Sequence, residues 1–343
     1  MGRVKLRFAR GLEVEFRDRD RALQQVEWMA ERGTLFPTVV YGPEGCGKTA
    51  LLMQAKAILE EHGYHVVYAS PLEEEAREML SYTPTLGEIA REIFKAFPEP
   101  YSRVVDVAIA IAGEAVRRLR RPRVALLVDD IFQAVGVDRA EVYVKMLLNL
   151  IEYPPGDYES IVVLVSSSEG VTRERIGRHN WATIKILWNM SREGFKQLYD
   201  AIPNGGKLEY ETLWRLTGGN PRHLRRLYEA EWNVDITVKS MVKERKLDIL
   251  VATLSREEVE VLKQVLVDPD SLVEHLREKH VQELERRLVE LNLIMYMHDR
   301  DEHFWIDQPP PERDQELGIG RFYAWQTPLH REAVRRALEI ASS

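Results

Sequence analysis

Residues Gly42 to Thr49 read GPEGCGKT, a G-x-x-x-x-G-K-[ST] stretch with every specified position filled. Such a loop suits phosphate chemistry. Its glycines let the backbone curl so that successive N–H groups face phosphate oxygens, Lys48 carries a positive charge to the terminal phosphates, and the Thr49 hydroxyl is a ligand for Mg²⁺. Gly42, Pro43, Glu44, Gly45, Cys46, Gly47, Lys48, Thr49 and Ala50 are therefore the candidate nucleotide-binding residues, with ATP and Mg²⁺ as the expected ligands. Cys46 fills a variable position of the loop, as a small residue that fits the turn. Further along, Val124 to Asp130 reads VALLVDD, an apolar strand ending in two carboxylates. Asp129 can bind the Mg²⁺ hydration shell and Asp130 can polarise an attacking water. Because Asp is shorter than Glu, Asp130 is expected to act through a longer or bridged contact and to give slow turnover. Ser166, Ser167 and Ser168 close the next apolar strand. Ser167 is the candidate for holding the water or the γ-phosphate, although a polar strand exit accounts for the three hydroxyls equally well. Arg173, Arg175 and Arg178 follow. Any of them could serve a neighbouring subunit as an arginine finger, a contribution of about 10³–10⁵ in rate. Arg178 is preferred, and a solvated surface role is the ordinary alternative.

These residues need elements to position them. Thr38 to Tyr41 predicts the strand entering the loop, and helical spacing from Ala50 to Glu61, closed by Gly63, predicts the helix leaving it. Tyr64 to Ala69, Val124 to Val128 and Ile161 to Val165 read as buried strands, alternating with helices that include Val104 to Arg120 and one opening in a Thr85/Glu88 capping box. That alternation predicts an α/β fold, a parallel P-loop sheet covered by helices on both faces. Val4 to Phe16 alternates as a hairpin would, and Arg19 to Arg32 has helical spacing. We place this core in residues 1–188 and a small helical lid, turning at Thr217-Gly218-Gly219-Asn220-Pro221, in residues 189–250. In residues 251–343, a Ser255/Glu258 capping box opens the first of three short helices. A hairpin of Leu293 to Met297 with Phe304 to Asp307 is expected next, which is the winged-helix order, and a last helix follows Pro328.

Composition narrows the function classes. With 343 residues, 45% hydrophobic, 30% charged and a net charge of −7, the chain is an ordinary globular one without a field that would draw it to DNA or anionic lipid. Cys46 is the single cysteine, so no intrachain disulfide forms. The start MGRVKLRFAR has no signal-peptide pattern, and no apolar run is long enough to span a membrane. A cytoplasmic location without membrane contact is the expectation. His275 with His280, and His298 with His303, are too poorly spaced for a metal site.

Taken together, GPEGCGKT, VALLVDD, SSSEG, the lid motif TGGNPRHL and the N-terminal box FRDRDRAL resemble the predominantly archaeal ATPase family at the border of the STAND and AAA+ classes. More distantly, they resemble archaeal origin-recognition initiators. The resemblance runs by motif from Phe16 to Tyr228 and beyond that by order of elements only. It implies that the box at Phe16 to Arg19 borders the adenine. It also implies that the lid turn, Pro221 and Arg222, brings an arginine towards the phosphates as a sensor. The Asp129-Asp130 pair, shared with many STAND proteins, implies a slow switch rather than a motor.

Two functions compete on these grounds. The first is an ATP-dependent switch whose lid and winged-helix domain report nucleotide state to a protein partner or to further copies of the chain. The second is a nucleotide-gated DNA-binding protein of initiator or loader type. DNA is the less favoured partner, because the recognition-helix candidate Val281 to Asn292 sets Glu283, Glu285 and Glu290 against Arg286 and Arg287. A small-molecule kinase would leave the C-terminal third unexplained.

Overall fold

A computed structural model describes residues 2–71, 79–97, 99, 103–131, 137–168, 176–177, 180–203, 207–297 and 300–342. The chain falls into two compact units. The first comprises Met1–Val4, Arg19–Gly42 and Lys48–Leu187; the second comprises Lys5–Asp18, Pro43–Gly47 and Trp188–Ser343. Near the N-terminus, the alternation expected of a hairpin appears as β1 (Lys5–Ala9) paired antiparallel with β2 (Leu12–Glu15), both in the second unit.

In the first unit, short β-branched runs form the strands β3 (Thr38–Tyr41), β4 (His65–Ala69), β5 (Leu80–Tyr82), β6 (Arg123–Val128), β7 (Ser160–Ser167) and β8 (Thr183–Ile186). They make one sheet in the order β5-β4-β6-β7-β3-β8. Every pairing is parallel except β5 with β4. Both faces of the sheet are buried, which is why its strands read as continuous apolar runs. Val67, Val124, Leu126, Val128, Val163 and Val165 pack into a core with α3 (Gly87–Ala96), α4 (Val104–Arg118) and α5 (Val137–Glu152). The alternate residues Val66, Ala125, Leu127 and Leu164 are equally buried. Across the other layer, α1 (Asp20–Arg32) packs on α2 (Lys48–Glu61), and α2 on β4, β6 and β7. Helical spacing predicts the inward face of α1 correctly: Ala22, Leu23, Val26, Met29 and Ala30 are its buried residues. Among the described residues no helix is long and apolar enough to cross a membrane.

The second unit holds α6 (Arg192–Asp200), α7 (Tyr210–Thr217), α8 (Pro221–Glu229), α9 (Val234–Glu244), α10 (Leu247–Ala252), α11 (Arg256–Val267), α12 (Ser271–His275) and α13 (Lys279–Glu290). Strands β9 (Ile294–Tyr296) and β10 (Tyr323–Trp325) and helix α14 (Pro328–Ser342) complete it. The hairpin residues Phe8 and Val14 share a core with Phe195, Leu213, Leu224 and Trp232 of the lid helices. A second core runs from Val238 and Met241 of α9 through Leu262 and Leu284 to Trp325 and Val334. The Ser255/Glu258 capping box is formed, each side chain bonding the other's backbone N–H.

Several local expectations are corrected. Thr85 does not cap a helix with Glu88: Pro84–Leu86 is a 3₁₀ turn, the helix starts at Gly87, and the Thr85 hydroxyl instead meets His65 Nδ1 at 2.8 Å. Strands β5 and β8 were not expected, since each is too short to show a period. In the tail, the strand expected at Phe304 to Asp307 does not form: Phe304 ends the 3₁₀ turn Glu302–Phe304, and β9 pairs antiparallel with β10 instead. Asp270 explains this choice. Its carboxylate accepts the backbone N–H groups of Arg321 (2.6 Å), Phe322 (2.8 Å) and Tyr323 (2.9 Å), delivering the late segment to β9.

Candidate nucleotide site

The sheet order positions the candidate residues of the first unit. Strands β6, β7 and β3 are neighbours, so their carboxyl ends bring together the Asp129-Asp130 pair, Ser166 to Ser168 and the start of the phosphate loop. The ends of parallel strands are where α/β sheets receive ligands. At Gly42 the backbone passes so close to Leu187 that an added Cβ would lie 1.9 Å from the Leu187 carbonyl oxygen, so only glycine fits. Lys48, at the start of α2, is 4% exposed. Its Nζ donates to the Gly42 carbonyl at 2.9 Å, folded back across the root of the loop.

Asp129 is 3% exposed. Its carboxylate accepts hydrogen bonds from the Ser166 hydroxyl, from Tyr68 Oη at 3.2 Å and from Thr49. Burial, with the neighbouring Asp130 charge, pushes its pKa up; the Ser166 and Thr49 hydrogen bonds and the Lys48 charge oppose that shift. Asp130 stands in a left-handed conformation at φ 43°, a strained backbone for a non-glycine residue. Its N–H donates to Ser166 Oγ at 2.9 Å and its carboxylate accepts from Ser168 Oγ at 2.8 Å. Ser166 thus bridges the two acids, donating to one side chain and accepting from the other residue's backbone. Ser167, the sequence candidate, is fully buried between these two serines. Ser166 and Ser168 both place a hydroxyl on the acid pair. Thr49 is exposed and Ala50 half-buried on the first turn of α2.

The loop tip Pro43–Gly47 belongs to the second unit. There Gly45 has φ 77°, and a Cβ on it would lie 2.3 Å from the Arg222 Cβ, so lid residue Arg222 seats directly on it. Arg222 N–H reaches Gly45 O at 3.4 Å and Cys46 N–H closes onto Pro43 O at 3.2 Å. The Glu44 carboxylate pairs with Arg222 through one oxygen and with Arg245 through the other. Its backbone is gripped on both sides. Glu44 N–H donates to Gln326 Oε1 at 2.9 Å, and Asn220 Nδ2 donates to Glu44 O at 3.0 Å. Asn220 Nδ2 also donates to Asn189 Oδ1 at 2.8 Å, while Asn189 Nδ2 donates to the Gln326 carbonyl at 2.9 Å. The three amides are buried, so this closed chain of hydrogen bonds is shielded from water and fixes the loop tip. Asn220 additionally caps α8 by accepting from His223 N–H at 3.2 Å, with Pro221 at the first helical position. Sequence reading missed Tyr68, Arg245, Asn189 and Gln326. Only their distant placement in the chain hid them, since none stands in a local motif.

Of the remaining candidates, Phe16 (5% exposed, second unit) and Arg19 (3% exposed, first unit) are both buried. Arg178, with Arg173 and Arg175, lies outside the described residues. The residues present fit a nucleotide with Mg²⁺. A buried carboxylate bonded to a threonine hydroxyl is the all-oxygen donor set a hard cation takes, and a lysine beside a glycine-lined loop suits the phosphates.

A family model described as an ATPase domain predominantly from Archaea matches residues 16–227. No curated protein sequence matches the chain. Among solved structures, the ADP form of the Aeropyrum pernix ORC2 protein is 15% identical over 94% of this chain and 93% of its own, with a TM-score of 0.46. Cdc6p from Pyrobaculum aerophilum is 14% identical over 94% of each chain, TM-score 0.39. AMPPCP-bound DnaA from Aquifex aeolicus is 17% identical over 78% of this chain and 76% of its own, TM-score 0.38. Likenesses of this size carry no argument about what this chain binds.

Proposed function

The chain belongs to the family of ATPase domains found predominantly in Archaea, and from that premise we propose that it is a Mg²⁺-dependent, slowly hydrolysing ATP switch. The observation that carries this reading is the Ser166 bridge between Asp129 and Asp130 at the strand ends beside Lys48. Thr49 and Asp129 would hold Mg²⁺, which supplies charge neutralisation at the phosphates. Lys48 exchanges the Gly42 carbonyl for a phosphate oxygen. Asp130, steered by Ser168, orients the attacking water and accepts its proton; as the shorter acid, held in a left-handed backbone, it does so from a fixed and limited reach. Slow turnover follows. Lid residues Asn220 and Arg222 meet the loop tip, which supports a link between occupancy of the loop and the position of the lid.

The C-terminal region, three helices, an antiparallel strand pair and the last helix α14, is read as a winged-helix domain that presents nucleotide state to a protein partner or to another copy of the chain. The charges on α13, the helix in the recognition position, favour that over duplex DNA. Arg286 is paired with both Glu283 and Glu290 at 2.6 Å, and the apolar side of α13, Val281, Leu284 and Leu288, is buried. An arginine satisfied by two carboxylates has little left for a DNA phosphate.

Steady-state hydrolysis tests the reading. Wild type is expected to hydrolyse ATP slowly with Mg²⁺. Lys48→Ala should lose nucleotide binding, and Asp130→Asn should keep it while losing on the order of 10²–10⁴ in rate. Equal turnover in wild type and Asp130→Asn would refute the assigned role of Asp130. Duplex DNA bound at low salt would move the conclusion to the initiator-like alternative.

A further inference from the structure

Asp129 is held at both of its carboxylate oxygens. Oδ1 accepts from the Ser166 hydroxyl and Oδ2 from Tyr68 Oη at 3.2 Å. Ser166 also serves Asp130, whose N–H it accepts. Tyr68 has no part in the hydrolytic chemistry assigned above, yet it comes from the neighbouring strand to meet the proposed metal-holding acid.

The sheet explains how it gets there. Strands β4 and β6 run parallel with Tyr68 opposite Leu127. Alternation sets Tyr68, Leu127 and Asp129 on one face of the sheet, while Val67, Leu126 and Val128 join the core shared with α3, α4 and α5 on the other. The Asp129 N–H donates to Ala69 O at 2.8 Å, so the backbone pairing persists as far as the acid. Asp129 therefore lies two residues beyond the partner of Tyr68 and on the same face, where the phenol reaches it. Tyr68 and Asp129 are each 3% exposed. A tyrosine has only two side-chain torsions to fix, so Oδ2 is held from a paired strand and away from solvent.

A carboxylate fixed on two sides has a restricted way of meeting a cation. Ca²⁺ gathers roughly six to eight oxygens, often both of one carboxylate, whereas Mg²⁺ keeps near-octahedral geometry and several of its own waters. Chelation through both Asp129 oxygens requires the carboxylate to turn away from the hydroxyls that hold it. A single contact, direct or through a water, leaves it where it is. With Tyr68 gone, only Oδ1 would keep its strand hydroxyl, and the carboxylate could pivot to offer both oxygens.

We propose that Tyr68 is a positioning residue that sets the metal preference of the nucleotide site, holding Asp129 so that Mg²⁺ is accepted and Ca²⁺ disfavoured. This rests on the reading of Thr49 and Asp129 as the residues that hold Mg²⁺.

Equilibrium titration of the full chain with a fluorescent non-hydrolysable ATP analogue, in Mg²⁺ or in Ca²⁺, tests this without hydrolysis. Wild type is expected to bind the analogue more tightly with Mg²⁺ than with Ca²⁺. Tyr68→Phe should shrink that ratio about three- to tenfold, the range of one typical hydrogen bond, chiefly through tighter binding with Ca²⁺. Tyr68→Met lacks the hydroxyl equally and fills space with a flexible side chain; it should give the same shift and answers independently if Tyr68→Phe folds poorly. A tyrosine that only packs the strand predicts equal losses with the two metals. Equal losses, an unchanged or larger ratio, or a wild type that binds alike in Mg²⁺ and Ca²⁺ would overturn the proposal. Failure of the underlying reading looks different: analogue binding that is absent in wild type, unaffected by removing all divalent metal, or undiminished in Lys48→Ala means that the nucleotide site itself is misassigned.

Discussion

Two buried histidines next to the loop tip make the stability of this protein depend on pH in a way that can be worked out. His223 is 3% exposed with neither ring nitrogen hydrogen-bonded, and His330 is fully buried with Nε2 unpartnered and Nδ1 at 2.8 Å from the Thr327 hydroxyl. Their rings meet edge to face, centroids 5.2 Å apart. Burial pushes His223 down to about 3 from its ordinary 6.5, helped by the charges of Arg226, Arg245 and Arg222 and opposed by Glu44. Burial and the same arginines, with His223, push His330 far below its usual range. The folded chain keeps both rings neutral, whereas in the unfolded chain they take up protons below 6.5. The unfolded state binds more protons as pH falls, so stability is full above that value and is lost on acidification towards the folded-state value. Between about pH 7.5 and pH 5, His223 alone costs the fold about 2 kcal/mol, a sizeable share of the roughly 5–15 kcal/mol by which domains are stable. His223→Phe puts a ring of similar shape where no hydrogen bond is lost and abolishes that titration. Urea unfolding at several pH values measures it: the variant's midpoint should fall less than the wild type's over the same interval, whatever its absolute stability. Parallel pH profiles for the two proteins would show that His223 takes up protons equally in the folded and unfolded chains and refute the reasoning.

Two further substitutions test the scaffold of the site and of the tail. Ser166→Ala removes the donor to Asp129 and leaves the Asp130 N–H without its acceptor; urea unfolding should show a loss of about 1–3 kcal/mol, and ATP hydrolysis should fall with it. Asp270→Ala strips three backbone N–H groups of their shared acceptor. Because Tyr323 is buried and the other two are exposed, the loss should be about 1–3 kcal/mol, with faster amide hydrogen exchange confined to Arg321–Trp325 and the β9 residues opposite.

What the sequence made legible is what depends on short spacing. The phosphate loop, the acidic strand end and the Asn-Pro helix start each fit within about one turn or one strand, and the local backbone obeys them. Pairing across the chain is a different matter. The short strands β5 and β8 carry only three and four residues, too few for a hydrophobic period to separate them from loop. The tail misled for a related reason. Phe304 to Asp307 looked like the partner of β9 because it is apolar and near, but the segment delivered to β9 is the one whose N–H groups Asp270 collects, and nothing in the intervening residues announces that.

The serine triplet shows where a stricter reading would have gone further. Val163 and Val165 face the core shared with α3, α4 and α5, and strand alternation then assigns Ser167 to their side and Ser166 and Ser168 to the other. A residue that bridges Asp129 to Asp130 must leave the strand on the side where β6 ends in those acids, so position 166 was derivable once β6 and β7 were taken as neighbours. The Glu44–Arg245 pair had no such route. Its two members stand 201 residues apart, and no periodicity or motif relates position 44 to position 245. Charge on the second unit's arginines becomes meaningful only when the fold brings them to one carboxylate. The Glu44–Arg245 pair is therefore assembled by folding rather than by local spacing.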